Sequence, residues 1–171
     1  MGSLALEQLG DLRKTHYSTE LSPSLEGKEV VVGGWVQRRR DMGGLSFIVV
    51  QDKFGTMQIT IKKGVVSEAL FEKAGKIGIQ YCIIVKGTIK SFKKAPQGVE
   101  IIPSEIRVLN TATEQLPIDM TGVTMSDLDT RLNARCLDLR HPRSQALDEN
   151  HHPAFSRILH ALPCVVFRSF H

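Results

Sequence analysis

The stretch LSFIVVQDKFGTMQIT, residues 45–60, constrains the fold more than any other part of the sequence. Two alternating runs flank Asp52-Lys53-Phe54-Gly55, a composition typical of a hairpin turn. Slipping the register by one residue would set apolar side chains opposite polar ones along the whole pair. The turn at residues 52–55 therefore predicts three cross-strand pairs: Gln51–Thr56, Val49–Gln58 and Phe47–Thr60.

Phe47 is unusual in this hairpin because it is an aromatic residue on the polar face. Side chains alternate across a strand, so the other face forms a predicted core of Ile48, Val50, Met57, Ile59 and Ile61.

Phe47 lies diagonal to Gln58 in this register, and Arg38 and Arg40 precede it across a glycine-rich turn. An exposed ring, an amide and nearby cations can hold an unpaired base. A lone ring on a solvated sheet face more often packs on a neighbouring loop or domain. The pattern alone leaves both interpretations open.

The remaining elements predict the fold class. We expect a first strand at Glu29–Arg40, bent at Gly33-Gly34, and a helix over residues 65–78. Two more strands follow at Ile79–Phe92 and at Val99–Leu109, the latter broken by Pro103. The order predicts a mainly β, five-stranded Greek-key OB-fold barrel with one helix between strands 3 and 4.

The composition changes along the chain predict five segments. They are an N-terminal extension (1–28), in which residues 4–12 could form a short helix, the OB-fold (29–109), a linker (110–125), a short helical segment (126–144) and a tail (145–171).

In the helical segment, Ser126-x-x-Asp129 resembles a capping box. A single helical face would carry Leu128, Leu132, Arg135, Cys136 and Leu139.

Charge and cysteine content narrow the function classes. The net charge of +4 is compatible with a nucleic-acid partner without demonstrating one. The widely spaced Cys82, Cys136 and Cys164 argue against a disulfide framework and a structural zinc site, and favour the cytosol. The tail histidines 151, 152 and 160 lack further ligands at a suitable spacing, so no metal site is predicted. No membrane span or signal peptide is expected.

Two motifs resemble a known family. GWVQRRRDMGGLSF with QDKFGTMQI resembles the anticodon-binding domain of aspartyl-tRNA synthetases and, more loosely, of the asparaginyl and lysyl enzymes. DTRLNARCLDLRHP is similar to the opening of their class II catalytic domain, and LPIDMTG to the linker between the two. The likeness runs from about residue 11 to residue 144. It implies an OB-fold that binds the anticodon of tRNA(Asp) in the cytoplasm.

The resemblance also implies roles for individual residues. In the family, the phenylalanine at the position of Phe47 stacks on the central anticodon uridine. The glutamine at the position of Gln58 hydrogen-bonds that base. Arg40 matches an arginine that contacts anticodon nucleotides, with Arg38 beside it, and Glu100 is the nearest match to an acidic residue that recognises the anticodon in some members.

The resemblance assigns discrimination between tRNA(Asp) and tRNA(Asn) to two places. One is the residue after G-W-V, here Gln37, and the other is the loop Lys93–Gln97, which includes Lys94. Gln37 differs from the residues associated with the archaeal alternatives. The acceptance of tRNA(Asn) therefore stays open at this point.

The resemblance ends after residue 144, and the three class II signature motifs are absent. We therefore expect a truncated or frameshifted chain with no catalytic residues and no cofactor of its own. A full-length parent would use ATP and Mg²⁺ and form a homodimer, whereas the fragment could be a monomer. Two alternatives are a general single-stranded nucleic-acid-binding OB module and a relict that serves as an interaction or structural protein.

Overall fold

A computed structural model describes residues 5–93, 95–112, 116–119, 124–141 and 144 of the chain. The chain divides into two compact units, Met1–Thr113 and Glu114–His171.

The first unit is built on a closed β-barrel with strand order β1-β2-β3-β5-β4. Only β3 and β5 pair in parallel, and the other neighbours are antiparallel. This architecture confirms the predicted mainly β OB-fold with one helix between strands 3 and 4. The elements are β1 (Glu29–Met42), β2 (Leu45–Gln51), β3 (Thr56–Lys62), α1 (Glu68–Lys76), β4 (Cys82–Ser91) and β5 (Val99–Asn110).

The predicted register of the β2–β3 hairpin is confirmed. Phe47 lies opposite Thr60, and Val49 lies opposite Gln58. The turn closes with a hydrogen bond of 2.9 Å from the Asp52 amide to the Gly55 carbonyl. The predicted core face of the hairpin is buried throughout: Ile48, Val50, Met57, Ile59 and Ile61.

β1 bends because it serves two neighbours. Its first half pairs with β4 and its second half with β2, and Trp35 belongs to both ladders. At this corner Gly34 packs directly on the main chain of β2, where a Cβ atom would collide with the Gln51 carbonyl. Glycine is therefore required by the close approach of two backbones, as the Gly33-Gly34 pair predicted.

The expected N-terminal helix was wrong for the residues that the structure describes. Residues 5–9 belong to neither a helix nor a strand, and the Glu7 amide donates to the Val108 carbonyl at 2.8 Å. Leu12 is buried against Val31 and Ile84. A tertiary contact has overridden a weak helical preference here.

Several details of the elements also differ from the sequence prediction. α1 begins at Glu68, because Ser67 caps it by accepting from the Leu70 amide. β4 begins at Cys82 rather than residue 79. Pro103 does not break β5, because it lies opposite Gly87 next to a bulge in the β4–β5 ladder.

The second unit contains two short helices, α2 (Leu128–Asn133) and α3 (Arg135–Asp138). Ala134 separates them with φ −110° and ψ 41°, so one continuous helix was a wrong expectation. The N-cap is Asp127, whose side chain accepts from the Thr130 amide, and not Ser126. No helix in the described part of the chain is long and apolar enough to cross a membrane.

Candidate nucleic-acid interface

The outer face of the barrel brings predicted site residues from four strands together. β1 places Arg40 directly opposite Phe47 of β2. β3 places Gln58 diagonal to Phe47, and β5 places Glu100 beside Gln58. Because directly opposed residues in a sheet point to the same side, these four side chains share one surface.

Phe47 and Gln58 are both half-buried on this face. The Gln58 amide nitrogen approaches the Thr60 hydroxyl at 3.4 Å, which is long for a hydrogen bond. An amide carries two donor hydrogens and an acceptor oxygen. The Gln58 amide therefore retains hydrogen-bonding capacity for a ligand next to the partly exposed ring of Phe47.

Glu100 is held rigidly in place. Its side chain is 8% exposed and accepts a hydrogen bond of 2.7 Å from the Thr60 hydroxyl. Hydrogen bonds to a charged acceptor are stronger than neutral ones. The bond orients one carboxylate oxygen toward Thr60 and fixes the carboxylate at the side of Gln58.

The three consecutive arginines have different roles. Arg38 and Arg40 are exposed, and within the described residues no hydrogen bond or ion pair engages either guanidinium. Arg39 points the other way. It donates to the Gly75 and Ile77 carbonyls, both at 2.7 Å, at the end of α1.

A β-bulge at Gln37 explains why Arg38 and Arg40 face outward. Val36 pairs with Val50 and Arg38 with Val49, so Gln37 is the extra residue of β1. Val36 points into the core, and strict alternation would have sent Arg38 there as well. The bulge shifts the phase by one residue and places the two cations beside Phe47.

The loop between β4 and β5 lies at one end of this face. Gln97 adopts a left-handed conformation with φ 54°, and its amide, in the orientation that satisfies both polar atoms, donates to the Thr56 carbonyl at 3.0 Å. The loop is thus fastened to β3 two residues from Gln58. Lys93 is exposed, and Lys94 lies outside the described residues.

Sequence reasoning missed a polar network at the tip of the hairpin. Asp52 is 6% exposed and accepts from the Ser18 amide at 2.8 Å and the Ser18 hydroxyl at 2.7 Å. It also accepts from the Phe54 and Gly55 amides and forms an ion pair with Lys14 at 3.2 Å. An aspartate at the first position of a turn predicts hydrogen bonds to the amides of that turn. No sequence pattern predicted the contacts of Asp52 with Ser18 and Lys14.

This network shifts the ionisation of both of its charged members. Burial opposes the charge of Asp52, but the hydrogen bonds from Ser18 and Phe54 and the nearby Lys14 outweigh it and lower the pKa of Asp52. Burial also lowers the pKa of Lys14, although Asp52 acts against that shift. The aspartate therefore stays charged in the fold and ties the N-terminal segment to the turn.

The described residues hold no cluster of three or more His, Cys, Asp or Glu side chains that could bind a metal ion. The tail histidines lie outside the described residues. In the second unit, the buried Asp138 pairs with Arg131 at 2.7 Å and with Arg135 at 2.6 Å.

Comparison with known proteins places this geometry in context. Residues 30–109 match the tRNA anticodon family, an OB-fold nucleic acid binding domain. The chain is 43% identical over 139 residues to an aspartate–tRNA(Asp/Asn) ligase of Methanococcus maripaludis, covering 81% of this chain and 32% of that protein. A ligase of the same name from Methanothermobacter thermautotrophicus is 42% identical over 154 residues, covering 90% of this chain and 34% of that protein.

Among solved structures, asparaginyl-tRNA synthetase from Pyrococcus horikoshii, complexed with asparaginyl-adenylate, superposes with a TM-score of 0.70 at 31% identity. The likeness covers 79% of this chain and 30% of that one. The chain thus spans about a third of the length of the curated relatives it matches.

Proposed function

The chain belongs to the family of OB-fold anticodon-binding domains found in aspartyl-tRNA synthetases, and from this premise we propose that its outer sheet face binds the anticodon loop of tRNA(Asp). The single observation that carries the proposal is the meeting of Arg40, Phe47, Gln58 and Glu100 on one surface, each from a different strand.

Each of these side chains has a chemical role in the proposal. The ring of Phe47 stacks on the central anticodon base, because every nucleobase has a π-face on which an aromatic ring can stack. Gln58 hydrogen-bonds the edge of that base, since an unpaired base exposes its donors and acceptors. Glu100, fixed by Thr60, offers an acceptor to a neighbouring base.

The cations supply the remaining contacts. Arg38 and Arg40 bind phosphates or stack on bases, and both are exposed beside the ring. Gln37 in the bulge and the loop Lys93–Gln97, including Lys94, are proposed to decide between tRNA(Asp) and tRNA(Asn). Two relatives named as aspartate–tRNA(Asp/Asn) ligases support a substrate range that includes both tRNAs.

The full-length parent is proposed to adenylate aspartate with ATP and Mg²⁺, transfer it to the tRNA, and act as a cytoplasmic homodimer. In that proposal residues 29–109 form the anticodon-binding domain, 110–125 the hinge and 126–144 the start of the catalytic domain. The chain on its own binds RNA without catalysing a reaction. A free, exposed Cys136 is compatible with a reducing compartment.

The test is the binding of a fluorescein-labelled tRNA(Asp) anticodon stem-loop, measured by anisotropy, for the wild type and Phe47→Ala. Loss of one stacked base costs about 1–3 kcal/mol, so the variant should bind roughly ten-fold more weakly. Ile79→Ala is the matched control, because Ile79 is exposed and lies outside the strands. Equal binding by wild type and Phe47→Ala would refute the stacking role.

A stem-loop with a scrambled anticodon separates the alternatives in the same assay. A general single-strand-binding module would hold both loops with similar affinity, and an interaction or structural protein would bind neither saturably. The proposed function requires a clear preference for the Asp anticodon.

A further inference from the structure

The aromatic character of the outer face does not end at Phe47. Trp35 lies opposite Gln51 and is half-buried on the same side of the sheet. Beyond it, at the tip of the hairpin, the rings of Tyr17 and Phe54 meet edge to face, with centroids 5.0 Å apart and an interplanar angle of 86°. Phe54 is 47% exposed, which is a large apolar surface for a turn residue.

Positive charge accompanies this aromatic pair. The ammonium of Lys53 lies 4.4 Å from the Phe54 ring centroid and 5.0 Å from that of Tyr17. The ammonium of Lys14 lies 4.0 Å from the Tyr17 centroid, but its charge is matched by Asp52. The charge of Lys53 is therefore the one available to a phosphate.

The pair is built into the fold rather than formed by two loose side chains. The Asp52 carboxylate accepts from the Ser18 amide, next to Tyr17, and from the Phe54 amide. One buried anion thus fixes the backbone beneath both rings. A preorganised platform loses little conformational entropy when a ligand binds.

The spacing suits one continuous RNA strand. Along β3, Thr56 precedes Gln58 by two residues, which is about 7 Å, and the turn lies immediately beyond Thr56. OB-folds engage roughly 4–16 nucleotides of a single strand. A strand anchored at Phe47 and Gln58 can therefore extend to the tip of the hairpin.

We propose that Tyr17 and Phe54 form a second stacking position, which takes an unpaired base flanking the one held by Phe47, while Lys53 binds its phosphate. This inference rests on the proposed function, since it requires an RNA strand on the outer face. It adds residues of the N-terminal segment and the turn to the RNA-binding surface, outside residues 38–40 and the β4–β5 loop.

The test uses two fluorescein-labelled single-stranded RNAs centred on the tRNA(Asp) anticodon, one of about five and one of about twelve nucleotides, both within the range of OB-fold sites. Phe54→Ala should raise the Kd of the longer RNA about ten-fold and leave the Kd of the shorter RNA unchanged. Phe54→Trp should retain the affinity for the longer RNA. Phe54→Leu keeps an apolar contact with Tyr17 but no ring, and should behave as Phe54→Ala does.

A spectroscopic measurement separates direct stacking from an effect on the fold. The longer RNA carries 2-aminopurine at one flanking position at a time. At the position that reaches the turn, its fluorescence should be quenched by the wild type and much less by Phe54→Leu.

Three outcomes would overturn the proposal. An unchanged Kd of the longer RNA for Phe54→Ala, with a raised Kd for Phe47→Ala, would refute the second position and leave the proposed function standing. Equal weakening of both RNAs by Phe54→Ala and Phe54→Leu would show that the residue acts through the fold. Failure of the wild type to bind either RNA would refute the proposed function as well.

Discussion

The two ends of the β2–β3 hairpin use polar groups in opposite ways. At the turn, Asp52 is buried and receives hydrogen bonds from Ser18, Phe54 and Gly55. On the sheet face, Phe47 and Gln58 are half-exposed, and the Gln58 amide nitrogen lies 3.4 Å from the Thr60 hydroxyl, a long distance for a hydrogen bond.

This difference assigns separate roles to the two regions: the turn stabilises the fold, and the sheet face binds a ligand. A buried anion with all its acceptors engaged rigidifies its surroundings, whereas side chains with unused capacity can recognise a ligand. The turn fixes the hairpin in the fold, and the outer sheet face carries the side chains proposed to contact RNA. Variants of the two regions should therefore affect different measurements.

The largest expected effect is on stability, at the turn. Asp52→Ala leaves Lys14 as a partly buried charge without its carboxylate and removes an acceptor from several amides. Breaking such a buried pair costs about 3–5 kcal/mol, so urea denaturation should show a loss of this size. Glu72→Ala, at an exposed site of α1, is the control. A loss within about 0.5 kcal/mol, usual for surface substitutions, would contradict the role of the turn.

The same network predicts a pH dependence. The folded pKa of Asp52 is lowered from an unfolded value of about 3.9. Its stabilisation is therefore complete above that value and is lost as the pH falls through the lower, folded pKa. The difference in thermal midpoint between wild type and Asp52→Asn should be constant near neutral pH and shrink below about pH 4. A difference that persists undiminished in acid would contradict this assignment.

A smaller effect is expected from substituting the adjacent residues Arg39 and Arg40, one of which should affect stability and the other RNA binding. Arg39→Ala removes hydrogen bonds to two carbonyls at the end of α1, so it should cost about 1–2 kcal/mol of stability and leave RNA affinity unchanged. Arg40→Ala should change stability by less than about 0.5 kcal/mol. It should instead weaken RNA binding and reduce the slope of log K against log salt by about 0.7. The reverse pattern would show that the bulge at Gln37 does not set the facing of these side chains.

The sequence was sufficient to predict the hairpin and its face. A turn of fixed length and a two-sided pattern determine the register, because a slip of one residue reverses every side chain. Phe47 and Gln58 could therefore be placed before the structure was known. The facing of Arg38 and Arg40 could not be derived in this way, since it depends on a bulge that has no local sequence signature.

Contacts between distant segments explain what the sequence missed. Residues 5–12 form no helix because they contact β5 and β1, although their composition permits one. Tyr17 reaches Phe54 only because Ser18 is bonded to Asp52, which is 34 residues away in sequence. In the second unit, Asp127 rather than Ser126 caps α2, an error of one residue that capping patterns often leave.

The most direct test of the account combines a change in the protein with a change in the RNA. The wild type and Phe47→Ala are each titrated with the tRNA(Asp) anticodon stem-loop and with the same loop lacking the central anticodon base. If Phe47 stacks on that base, removing either one should weaken binding roughly ten-fold, and removing both should weaken it little further. Independent, multiplicative losses would show that Phe47 and the central base do not touch, which would contradict the account.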